Sequence, residues 1–139
     1  MISDVLAYYR TRLKALGRTE WVDPDFATVP KPRLATAFHL QFGDIRGLSN
    51  NQSHQEIEVP VTVRLPYPPD RKPTTLIDTA VAYADIVLTD LLKAENRTTA
   101  DGLIDVRFDT LSIEPLAETN DNGVVLVLGF TALVAISTR

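Results

Sequence analysis

The chain has 139 residues, a formal net charge of −4, no cysteine and 45% apolar residues. A chain of this length buries roughly two-thirds of its unfolded surface, so residues 1–139 read as one domain with its own core. The composition excludes disulfides and thiolate metal sites, no apolar run approaches the roughly 18 residues of a membrane span, and the negative charge argues against a dedicated nucleic-acid binder.

The N-terminal MISDVLAYYR carries an acid and no basic run, so it does not read as a secretory leader. The Asn-x-Ser/Thr triplets at Asn51 and Asn96 then read as chance matches. Ile2, Val5, Leu6, Tyr9, Leu13 and Leu16 recur at helical spacing, which predicts a first helix over residues 2–16. Ser3 or Asp4 can cap its start, and Gly17 fits the position after its end. Residues 18–34 contain Pro24, Pro30 and Pro32 and read as a connector. Trp21 and Phe26 either pin it to the body or, in the case of Trp21, anchor a partner.

Residues 35–42 alternate, with Phe38, Leu40 and Phe42 on one face and His39 on the other. Residues 43–55, GDIRGLSNNQSHQ, read as a long exposed loop. Gly47-Leu48-Ser49 is no nucleophile elbow, because Asn51 stands where a second glycine is required. Residues 56–65, EIEVPVTVRL, alternate cleanly, and Pro60 predicts a sheet edge or a bulge there. PYPPDRKP (66–73) is a stiff, proline-rich link.

Residues 73–93 form the longest periodic apolar segment and predict a long helix, with Asp78 and Asp85 on its narrow polar stripe. Thr75 and Asp78 make a capping-box-like pair. Residues 103–114 alternate, but the phase shifts between Phe108 and Leu111, predicting a bulge near Asp109 and Thr110. Asn122-Gly123 is a hairpin signal; the surrounding NDNG lacks the spaced acids of a calcium loop. The last strand, residues 124–137, is apolar on both faces and must be covered on both. With two helices counted, its second face (Val125, Val127, Leu133) is left to the first helix or to another subunit.

The expected fold is α+β in the order α-β-β-α-β-β, a mostly antiparallel four-stranded sheet with two helices packed mainly on one face. The relative direction of the second and third strands is left open. The chain carries no HExxH, P-loop, GxGxxG or GxSxG motif, so no catalytic, metal or cofactor residues are assigned and the reading is non-enzymatic. Residues 1–75 carry ten Lys/Arg and eight Asp/Glu (+2), and residues 76–139 carry four and ten (−6). Either the acids only solvate the second half, or the molecule has two electrostatically unlike flanks suited to head-to-tail contact.

The stretches EIEVPVTVRLPY (56–67), LIDTAVAYADIVLTDLL (76–92) and VRFDTLSIEPLAETNDNGVVLVLGFTALV (106–134), in this element order, resemble the tail-terminator (tail completion) proteins of long-tailed bacteriophages. The resemblance implies a homo-hexameric ring in the virion, at the head-proximal end of the tail, assembled in the host cytoplasm. Such a ring caps the tail tube, stops its polymerisation and joins a head–tail connector, while genomic DNA passes through unread. Its partners would be further copies of itself, the major tail tube protein and the connector, with no membrane. On this reading the assembly surfaces are Asp44, Arg46, Leu48, Asn50, Asn51 and His54 of the polar loop, with Val125, Val127 and Leu133 of the last strand. Asp78 and Asp85, or the loop, would face the pore. The alternatives are a head–tail connector (neck) protein and a dimeric, ferredoxin-like module that binds a small molecule.

Overall fold

Two kinds of apolar periodicity meet in one layer of sheet and one of helices. The computed structural model describes residues 2–50, 54–67, 73–97, 102–116 and 123–137. Helix α1 spans Ile2–Ala15, and helix α2 spans Pro73–Leu92. Gly17, at φ +84°, lets the chain reverse after α1: its N–H donates to Lys14 O (2.9 Å) and that of Arg18 donates to Leu13 O (3.1 Å). This is the paired closure of a left-handed helix end. Pro73 opens α2, where its missing N–H costs nothing. Thr75 therefore lies inside the first turn and not at a cap. A single-turn helix, α3 (Ala94–Arg97), follows.

The sheet has six strands and is mixed, which corrects the expected four-stranded, mostly antiparallel one and its α-β-β-α-β-β order. The strands are β1 (Thr19–Glu20), β2 (Ala37–Phe42), β3 (Arg46–Asn50), β4 (His54–Tyr67), β5 (Leu103–Pro115) and β6 (Val124–Ser137). Their spatial order is β1-β2-β4-β6-β5, with β3 alongside the first part of β4. β1 joins β2 in parallel, pairing Thr19 with Ala37 and Glu20 with Phe38; every other pair is antiparallel. β4 and β5 both run antiparallel to β6 and so share one direction, with β6 between them. That settles the direction left open: α2 carries the chain across from β4 to a parallel strand two places away.

Two strands were hidden by their composition. β3 reads RGLSN and lies inside the predicted loop 43–55; it is the continuation of β2 along the same edge of β4. Pro60 explains why β2 and β3 are separate. Its carbonyl accepts from Gly43 N–H (3.0 Å), so its backbone polar groups face this edge, and it has no N–H to offer in return. A Cβ at Gly43 would come within 3.0 Å of the proline ring, so the close approach suits glycine. In β5 the register slips between Phe108 and Thr110, where the sequence phase shifts, and again between Leu103 and Asp105.

Both helices lie on one face. Val59, Val61, Val63 and Leu65 of β4 and Leu126, Leu128, Phe130, Ala132 and Val134 of β6 are buried in one core with Val5, Tyr9 and Leu13 of α1 and Ala80, Ala84, Val87 and Leu91 of α2. The helices run antiparallel and are clamped where α2 ends. Tyr8 Oη donates to Leu91 O (2.6 Å), and Arg12 grips Asp90 with Nε at 2.8 Å and Nη2 at 2.7 Å. The Leu91 carbonyl is one that α2 cannot satisfy itself.

The opposite face is covered over its upper half by the connector between β1 and β2. Phe26, Val29 and Leu34 bury against Ala37, Leu116 and Val125, with Trp21 and Val127 packed alongside. Lys31–Thr36 forms a 3₁₀ helix within it. The Asp23 carboxylate accepts from the N–H of Asp25 (3.0 Å) and of Thr28 (3.1 Å), closing a turn that holds Phe26 at φ +58°. Arg64, from β4, donates to Pro24 O (2.8 Å) and to Glu114 of β5 (3.1 Å), fastening the connector across three elements. Trp21 is thus a pin of the connector, and its carbonyl lies 2.7 Å from His39 Nδ1.

Candidate functional site

The strand order leaves two edges of the sheet open, one on each side. On the first, β1 occupies the outer side of β2 only at Ala37 and Phe38, so His39–Phe42 and all of β3 have no strand on that outer side among the described residues. On the second, β5 pairs among the described residues only with β6. Nine large apolar side chains are exposed among the described residues. Phe42, Ile45 and Leu48 lie along the first edge, and Ile104, Phe108 and Ile113 along the second. Six of the nine therefore sit on the two edges, which is where unpaired backbone groups also accumulate.

The candidate residues named from sequence divide accordingly. Asp44, Arg46 and Leu48 are exposed along the first edge. Asn50 closes β3 opposite Gln55, and His54 opens β4 opposite Ser137. Asn51 lies outside the described residues. Val125 and Val127 do not face a neighbour: Val125 is 2% exposed and Val127 packs beside it, both under the chain's own connector. They are cover for an intramolecular core, because the connector supplies a second apolar layer that the count of helices omitted. Leu133 is half-buried on the bare lower half of that face, between Glu58 of β4 and Asp105 of β5. Asp78 and Asp85 are exposed on the outer stripe of α2.

On that bare half, Asp109 accepts from Thr131 Oγ1 (2.5 Å) and Arg107 Nε (3.0 Å). The Thr131 hydroxyl, then Arg107, hold the Asp109 carboxyl below the usual carboxylate range. Among the described residues no group of three or more His, Asp or Glu could hold a metal. A shallow groove of about 380 Å³ runs between the C-terminal end of α1 and α2, lined by Leu16, Asp85, Ile86, Thr89, Asp90 and Lys93. Its one buried-side acid, Asp90, is already committed to Arg12. No helix among the described residues is long and apolar enough to cross a membrane.

Sequence reasoning missed Phe42 and Phe108 as exposed residues, since their alternation places them on the helix-covered face. Both stand at the outer edges of the sheet, Phe42 on β2 and Phe108 on β5, 42% and 36% exposed. It also missed Arg18, which is 4% exposed. Its Nη1 donates to Ala37 O (2.6 Å), and its guanidinium lies 4.2 Å from the Tyr83 ring centroid. Burial lowers its pKa to about 10. No family model matches the chain, and no curated protein matches it.

Proposed function

We propose that this chain is a structural subunit of a phage tail: a tail terminator whose copies form a ring on the end of the tail tube, stop its growth and present a surface to the head–tail connector. The observation that carries this reading is the pair of unlike open edges, β2–β3 on one side and β5 on the other, which hold six of the nine exposed large apolar side chains. A closed ring is built from heterologous contacts, which need two different surfaces on each subunit. The sequence resemblance supplies the tail context. The acids exposed on α2, Asp78 and Asp85, suit a surface past which DNA slides, since each phosphate contact would add salt-dependent affinity. A dimer made through the sheet faces is less well supported, because the connector already occupies the upper half of the face it would use.

The test is tube capping. Purified chain is mixed with tail tubes, or with tube protein during polymerisation, and examined by negative-stain microscopy. Ring-shaped density at tube ends and arrested elongation are expected. Tubes that stay uncapped and keep growing across low and high salt would end the proposal.

A further inference from the structure

The registers of the sheet can be read straight across, from one open edge to the other. Phe42 pairs with Val61, Val61 with Phe130, and Phe130 with Phe108. Phe42 and Phe108 therefore stand at one height and on one face, at opposite edges, 42% and 36% exposed. Arg46 pairs with Glu58, Glu58 with Leu133, and Leu133 with Asp105. Arg46 and Asp105 thus share another row, on the other face, and both are exposed. Beyond the phenylalanine row, away from Arg46, lie Gln41, level with Thr110, and then Leu40, level with Leu111. In these four rows the edges match: ring with ring, aliphatic with aliphatic, polar with polar, cation with anion.

Strand direction completes the match. β2 and β3 run opposite to β5 within one subunit. A neighbour generated by rotation about an axis along the strands keeps every height and direction. It brings its β2–β3 edge antiparallel against β5, with the rows in register. We infer that a second copy of this chain docks edge to edge in this way, β5 of one subunit against His39–Asn50 of the next, with Phe42 meeting Phe108 and Arg46 meeting Asp105. Backbone ladder bonds hold the joint and the side-chain rows set its register. β1 gives it an end stop, because it already fills the outer side of β2 at Ala37 and Phe38. The competing two-fold contact, β5 on β5 centred between Asp109 and Thr110, would set Asp105 opposite Glu114, a like-charge pair.

This joint rests on the ring-forming part of the proposed function and not on the tube. The chain has no cysteine, so engineered thiols are read without background. Gln41→Cys and Thr110→Cys in one chain would face each other across the joint at the spacing of an antiparallel pair, about 4.5–5.5 Å between Cα atoms, which a disulfide spans. Oxidation should give a ladder of covalent oligomers from the double variant and monomers from each single one. Arg46→Glu and Asp105→Arg should each weaken self-association about tenfold, and their combination should restore it. Three results would overturn the inference: covalent dimers from Thr110→Cys alone, oligomers in sedimentation that the double variant does not link, or a monomer at every concentration with no links. Linked rings that leave tube ends uncapped would keep this joint and end the tail reading. Capped tubes without these links would do the reverse.

Discussion

Replacing Tyr8 by Phe removes a single oxygen from the clamp between the helices. That hydroxyl donates to Leu91 O at 2.6 Å, in a buried setting. Leu91 is the penultimate residue of α2, so its carbonyl has no partner further along the helix. The phenyl ring keeps its packing against Tyr9, whose centroid lies 5.5 Å away. The bond to Leu91 O is lost, and a buried carbonyl is left without this donor. Such a group costs about 1–3 kcal/mol, more than the ~1 kcal/mol of an average exchanged bond. For a domain of this length 1 kcal/mol corresponds to about 4 °C in Tm, so a drop of about 4–12 °C is expected. Urea unfolding should show a lower midpoint at unchanged m-value. A change within about 0.3 kcal/mol would mean that water reaches Leu91 O, and would refute the assignment of this clamp as a dry contact.

Two further outcomes follow from the two faces of the sheet. Val125→Asp places a carboxylate under the connector at a position 2% exposed and opposite Glu114, and should cost about 3–5 kcal/mol. Chemical denaturation measures it; a variant with wild-type stability and only an assembly defect would return Val125 to the outer surface. On acid titration the lowered pKa of Asp109 adds stability above the unfolded carboxylate value of about 3.9, and this is lost as pH falls through the lower folded value. Thr131→Val removes the largest cause of that lowering. Its stability should fall less steeply than wild type below about pH 4, and parallel curves from thermal unfolding would count against the pairing.

The strand β4 was legible because its alternation is regular: Val59, Val61, Val63 and Leu65 are all buried, as their shared face predicts. The bulge in β5 was legible for the same reason, since a change of face requires an extra residue. β3 was not. Its residues have no alternation, and it is a strand because β4 runs long enough to offer it an open ladder. The two-residue β1 follows the same logic, since its partner and not its composition makes it a strand. The assembly candidates divided on a different point. Arg46 and Leu48 were named for polarity and loop character and are exposed on an edge strand. In the sequence Val125 and Val127 fall to the first helix or to another subunit, because only helices count there as cover. Trp21, Phe26, Val29 and Leu34 were the available signal, four large apolar residues in a proline-rich connector that need a surface to lie on. The edge phenylalanines were invisible because periodicity reports a face, while strand order decides which residues of that face stand at a sheet edge.

The position of β6 bears on how the chain comes to be made. The last strand in chain order lies between two strands synthesised before it, and it pairs with β4 over fourteen residues and with β5 along nearly all of its length. Until Val124–Ser137 leaves the ribosome, β4 and β5 each lack the neighbour that joins them, and the helices have only a split surface to cover. Completion of the sheet therefore waits until β6 has been made, and it depends on strand pairings between distant parts of the chain, which form slowly. During that interval the edges of β4 and β5 that β6 later covers have no partner strand, which makes them the segments most exposed to mispairing.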